Sequence, residues 1–171
     1  MKNQSLFAAL RAGFPADLDS VAIETADGPG APLHYSWRDL DRATAMIANL
    51  LAGLKLPAGA RVAVQTEKSV EALMLYLAVL RAGYVYLPLN TAYQAGEIEY
   101  FIGNAEPAVV VCSPRNFSWV SGIGFKAGTL LELGLSTSDG MGAALAWPLL
   151  RSAAALLSDV HEAGVTPPPV P

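Results

Sequence analysis

Between Arg61 and Cys112, short apolar runs alternate with longer ones of helical length. Arg61-Val-Ala-Val-Gln65 and Tyr84-Val-Tyr-Leu87 are rich in β-branched and aromatic residues, and Ala108-Val-Val-Val-Cys112 is continuously apolar between Pro107 and Pro114. Three strands are expected. Between the first two lies Val70-Glu-Ala-Leu-Met-Leu-Tyr-Leu-Ala-Val-Leu80, too long and too rich in Leu, Ala and Met for a strand, so it reads as a helix. Its apolar residues occupy every face, which requires cover on two sides. Arg81-Ala-Gly83 supplies a basic last turn and a glycine where a left-handed cap costs least. The second crossover opens at Thr91-Ala-Tyr-Gln94, which has capping-box spacing, and continues through Glu97, Ile98, Tyr100, Phe101 and Ile102 to Asn104, with apolar residues three and four apart as one buried face requires. Strands joined by helical crossovers of this length lie parallel. The fold class is α/β, a partial parallel sheet with helical crossovers.

The flanks read as additions to this unit. Ser5 to Phe14 makes a short amphipathic helix, and Val21 to Thr25 with Leu33 to Tyr35 makes a hairpin around Asp27-Gly-Pro-Gly30. Ser36-Trp-Arg-Asp39 is a capping box, followed by Leu40, Ala43, Met46, Ile47, Leu50 and Leu51 at helical spacing up to Gly53. Arg115 to Ala127 has helical character. Beyond Gly128 the composition shifts to Leu, Ala, Gly and Ser and ends in Thr-Pro-Pro-Pro-Val-Pro171. Two segments follow: an ordered unit over residues 1–127 and a low-complexity tail over 128–171 that is extended at its end.

Composition changes the picture mainly by exclusion. Of 171 residues, 53% are hydrophobic, which suffices for a core, and the net charge of −4 comes without any block of like charge. The electrostatic footprint of a nucleic-acid binder is missing. Glu71, Arg81 and Gly83 interrupt the longest apolar region, which is therefore no membrane span. No secretory signal is evident at Met1-Lys-Asn-Gln-Ser5, and a single cysteine, Cys112, fits a reducing, cytoplasmic compartment. Cys112 lies in a core strand and reads as an inert thiol.

No residue makes a catalytic, cofactor-binding or metal constellation. The carboxyl ends of the strands, where open α/β sheets bind ligands, carry Thr66, Lys68, Ser69, Asn90, Thr91, Ser113 and Arg115. Helix capping and turn formation account for most of these. His34 and His161 lie far apart, and Glu97 and Glu99 fall on different faces of a helix. Ser136-Thr-Ser-Asp-Gly-Met-Gly142 has the small polar composition of an anion cradle, but no lysine follows and Asp139 adds negative charge. Gly122-Ile-Gly-Phe-Lys-Ala-Gly128 misplaces the third glycine of a dinucleotide fingerprint and reads as a glycine-rich loop.

Taken in order, Tyr35-Ser-Trp-Arg-Asp-Leu40, Leu56-Pro-Ala-Gly-Ala-Arg-Val-Ala-Val64, Ser69-Val-Glu71, Leu80-Arg-Ala-Gly83 and Leu87-Pro-Leu-Asn-Thr-Ala-Tyr93 with Glu97 resemble the N-terminal region of AMP-forming acyl-CoA synthetases. Within that family Glu67-Lys-Ser-Val-Glu-Ala-Leu-Met74, Tyr86 to Tyr93, Phe101 and Ala105-Glu-Pro107 look most like bacterial malonyl-CoA synthetases. The likeness covers roughly Leu6 to Gly128. It implies an incomplete N-terminal domain of the adenylate-forming fold, followed by a divergent or frame-shifted tail. It also implies a reaction in which a carboxylate such as malonate attacks the α-phosphate of ATP, and the CoA thiol then displaces AMP.

That chemistry gathers negative oxygens and needs backbone N–H groups, a lysine and Mg²⁺ to neutralise them. The family's Ser/Thr/Gly-rich loop ending in Pro-Lys-Gly, its adenine and ribose motifs and its C-terminal lysine are not found in this sequence. ATP, Mg²⁺ and CoA are thus implied for the full-length family and no cofactor site for this chain, which is expected to be inactive alone. The alternative is a non-catalytic interaction module that docks on a full-length synthetase, or on itself, through exposed apolar surface.

Overall fold

The computed structural model describes residues 5–25 and 32–126. In chain order these form α1 (Leu6–Ala12), β1 (Val21–Thr25), β2 (Leu33–Ser36), α2 (Trp37–Gly53), β3 (Arg61–Gln65), α3 (Val70–Arg81), β4 (Val85–Pro88), α4 (Ala95–Ala105), β5 (Val109–Cys112), a 3-10 turn (Pro114–Asn116) and α5 (Phe117–Lys126). β1 and β2 pair as an antiparallel hairpin, and β4, β3 and β5 form a parallel sheet in that order. Both sheets match the expected topology.

Alternation along β3 splits the core in two. Val62 and Val64 face a cluster made with Met74, Leu75, Ala78 and Val79 of α3 and Leu40, Ala43, Ile47 and Leu51 of α2. Ala63 faces the opposite side, where Ile98 and Ile102 of α4, Ile123 of α5 and Leu89 close over it. Helices therefore cover both faces of the sheet, as a parallel sheet requires. α3 is wedged between the sheet and α1 and α2, and of its large apolar side chains only Leu73 is exposed. Its all-round hydrophobicity is thus matched by burial on two sides.

The capping signals act at the residues that carry them, with one exception. Ser36 Oγ accepts from the Asp39 N–H at 3.1 Å, and Asp39 Oδ2 accepts from the Ser36 N–H at 2.8 Å, which starts α2. α3 ends in a Schellman motif, with Gly83 N–H donating to Leu80 O and Tyr84 N–H to Val79 O while Gly83 takes φ 79°. Because Tyr84 spends its N–H on the helix, β4 begins one residue later than expected, at Val85, and runs into Pro88. Val85 N–H donates to Ala60 O, just before β3, and Leu89 N–H to Val64 O of β3, so by alternation the nitrogen of Pro88 faces the outer edge, where a missing donor breaks no ladder bond.

The exception is the start of α4. Asn90 Oδ1 accepts from Ala92 N–H at 2.9 Å and Asn90 O accepts from Tyr93 N–H at 3.1 Å, so residues 90–93 form a turn. The helix begins only at Ala95, with Glu97 Oε2 accepting from the Gln94 N–H at 2.7 Å. Thr91 is a turn residue and no cap, and Tyr100, expected on the buried face with Ile98 and Ile102, is 65% exposed because it lies two residues from each and so on another side of the helix.

Asp41 ties three helices together. Its carboxylate accepts from Arg11 of α1 at 3.2 Å and from Arg81 of α3 at 2.7 Å, while the two guanidinium groups lie over Phe14 and Phe7 respectively, each 4.9 Å from the ring centre. Burial alone raises the Asp41 pKa, but the hydrogen bonds from Arg11 and Arg81 and their charges outweigh it and hold the carboxyl below its ordinary value of 3.8. A carboxyl depressed by folding stabilises the native state above its ordinary pKa and loses that contribution as pH falls through the folded value. Asp41→Asn is accordingly expected to cost about 1–2 kcal/mol above about pH 4, with the difference from wild type closing at lower pH. Urea unfolding of both chains across a pH series checks this.

Candidate functional site at the carboxyl edge of the sheet

The parallel strands β3, β4 and β5 all end on one side, and the turns that follow them bring together the polar residues singled out from the sequence. Most are occupied by the fold. Ser69 Oγ caps α3 by accepting from the Ala72 N–H at 3.1 Å. Asn90 holds the 90–93 turn, and Arg115 pairs with Glu67, clipping the turn after β5 to the loop after β3. Lys68 is exposed at this edge, Thr66 and Thr91 are half-buried, and the Ser113 hydroxyl is buried without a hydrogen-bond partner among the described residues. Among the described residues the edge offers hydroxyls, backbone groups and the ammonium group of Lys68.

A residue that sequence reasoning passed over organises this edge. Gln65, 1% exposed, ends β3 on the face it shares with Ala63. Its Nε2 donates to Asn90 O at 3.0 Å and to Tyr93 O at 3.2 Å, and its Oε1 accepts from Asn116 Nδ2 at 3.3 Å. The loop after β4 and the turn after β5 thus meet on one buried amide. The only local signal was a polar residue closing the apolar run Val62-Ala-Val64.

The remaining candidates are not gathered there. His34 sits half-exposed on the hairpin, its Nδ1 3.9 Å from Glu24 Oε2. Glu97 caps α4 and Glu99 is exposed on the same helix. Gly122 and Gly124 lie inside α5, so residues 122–126 are helix and no glycine-rich loop: Ile123, with Trp119 one turn earlier, packs in the cluster around Ala63. His161, the 136–142 stretch and the proposed division at residue 127 lie outside the described residues. No group of three or more His, Cys, Asp or Glu among the described residues is placed to hold a metal ion, and none of their helices is long and apolar enough to cross a membrane.

Cys112 is buried at the end of β5, and burial pushes its thiol up to about 11. At neutral pH the thiolate fraction is negligible. A thiol-reactive disulfide reagent is expected to leave Cys112 unlabelled in buffer and to label it fully in denaturant, and rapid native labelling would contradict its burial.

A parallel sheet covered on both faces, with its polar turns collected at the carboxyl edge, defines an α/β domain of the open-sheet type. A sequence profile for the AMP-binding enzyme family matches residues 16–160, and the chain belongs to that family as an N-terminal part of the adenylate-forming fold. Apo MatB from Rhodopseudomonas palustris is 44% identical with a TM-score of 0.69, over 88% of this chain and 28% of its own. The anthranilate CoA ligase AuaEII in complex with anthranoyl-AMP shares the fold at 19% identity and a TM-score of 0.65, over 74% of this chain and 23% of its own.

Among curated relatives, the non-ribosomal peptide synthetase CmlP of Streptomyces venezuelae is 35% identical over 81 residues, 47% of this chain and 8% of that protein. The isonitrile lipopeptide synthase of Mycobacterium tuberculosis is 33% identical over 76 residues, 44% of this chain and 3% of that protein. The chain therefore spans little more than a quarter of MatB and under a tenth of these synthetases. The family match also reaches beyond Gly128, where the motifs read from the sequence stop.

Proposed function

We propose that this chain is the N-terminal, scaffolding part of an AMP-forming acid–CoA ligase, cytoplasmic, whose acid is malonate or a close relative. The observation that carries this reading is the family match over residues 16–160 together with the 44% identity to MatB. The full protein joins the acid to CoA through an acyl-adenylate, consuming ATP with Mg²⁺ and releasing AMP and pyrophosphate. Adenylation needs a lysine and a cradle of N–H groups around the phosphates. The 171 residues contain no Pro-Lys-Gly and no lysine after Lys126, so this part alone is a scaffold without turnover. The tail over 128–171 belongs to the same proposal, as divergent or frame-shifted sequence.

The test is AMP formation by the purified chain with ATP, Mg²⁺, malonate and CoA. Release at the level of a no-protein control is expected, and malonate-dependent AMP above that control overturns the inactive-scaffold reading. Translating all three frames of the encoding DNA across Gly128 to Pro171 completes it: a frame that restores a Ser/Thr/Gly-rich loop with Pro-Lys-Gly supports the ligase assignment. A second reading, an interaction module, is favoured by the exposed Leu6 and Leu10 on α1 and Met46 and Leu50 on α2, each pair one helical turn apart. A compact monomer by light scattering that binds no hydrophobic dye speaks against it.

A further inference from the structure

We propose that the Gln65 carboxamide couples the β4–α4 loop to the turn after β5, so that order in one is transmitted to the other. Its orientation is fixed by chemistry. Two carbonyl oxygens, of Asn90 and Tyr93, can be met only by Nε2, which leaves Oε1 for the amide of Asn116. Gln65 is itself 1% exposed, and an amide rotated away from one loop abandons its partners at the other. The backbone is engaged at the same point, because Ser113 N–H donates to Gln65 O at 3.1 Å. Both segments lie at the carboxyl edge, so a ligand that orders one of them meets the other already placed. That functional weight rests on the ligase reading, whereas the coupling itself does not.

Amide hydrogen exchange on the intact chain tests it. The Tyr93 N–H, bonded to Asn90 O, reports on the loop after β4, the Asn116 N–H, bonded to Ser113 O, reports on the turn after β5, and the Ala82 N–H, bonded to Ala78 O, serves as a distant reference. Asn116→Ala touches only the turn, yet it is expected to raise exchange at Tyr93 about fivefold while Ala82 is unchanged. In a Gln65→Leu background the same substitution adds nothing at Tyr93. Where Gln65→Leu fails to fold, Gln65→Glu provides that background, since it keeps an acceptor for Asn116 but sets an oxygen against the two carbonyls. Unchanged Tyr93 exchange in Asn116→Ala overturns the coupling, as does a parallel rise at Ala82. Failure of the ligase reading leaves this cycle unaffected.

Discussion

Met74→Ala is expected to destabilise the chain by about 3 kcal/mol, and Met74→Leu by less than about 1.5 kcal/mol. Met74 is 1% exposed on α3 and is packed in the cluster that joins α3 to α2 and to Val62 and Val64 of β3. Truncation there removes most of a side chain from a site walled by three elements at once. A sheet on one side and a helix on the other cannot both move in to close the void, so a cavity cost adds to the lost transfer energy. Leucine keeps the volume and loses only the fit. Urea denaturation of the three chains, compared at unchanged m-value, measures both effects. A loss below about 1 kcal/mol for Met74→Ala would mean that the α2–α3 layer closes over the gap.

Ile98→Ala is expected to cost a similar amount, about 3 kcal/mol, from the other side of the sheet. Ile98 is 1% exposed and meets Ala63, Ile102, Leu89 and Ile123. Ala63 has a small side chain, so the branched residues of the helix fill the space over it. Because the two positions belong to separate clusters divided by β3, the double variant should lose the sum of the single losses within about 0.5 kcal/mol. A larger departure in the same unfolding experiment would show that the two layers repack together through the strand.

What the sequence revealed and what it withheld divide along the range of the interactions. The Ser36–Asp39 box, the Gly83 cap and the strand core of β3 depend on residues a few positions apart, so spacing exposed them. Thr91 misled because its spacing to Gln94 suits a cap, whereas the Asn90 side chain and the Gln65 amide fix residues 90–93 as a turn. Gln65 reaches partners 25, 28 and 51 residues away, and Asp41 reaches arginines 30 and 40 residues away. Nothing periodic marks such pairs. At the candidate site, the topology placed the right stretches at one edge, but only coordinates show that Ser69, Asn90 and Arg115 are already committed to the fold. The family resemblance supplied what local patterning does not, the kind of chemistry to which such a scaffold contributes.

Pro88 gives the sheet a direction of growth. The outward row of β4 has lost one donor to the proline ring and another, from Tyr84, to the cap of α3, so an incoming strand finds only the Tyr86 N–H as a donor along that margin. β5 carries no proline between Val109 and Cys112 and keeps its N–H groups. An added strand is therefore expected to find more donors beside β5 than beside β4, which biases edge-to-edge association towards one margin.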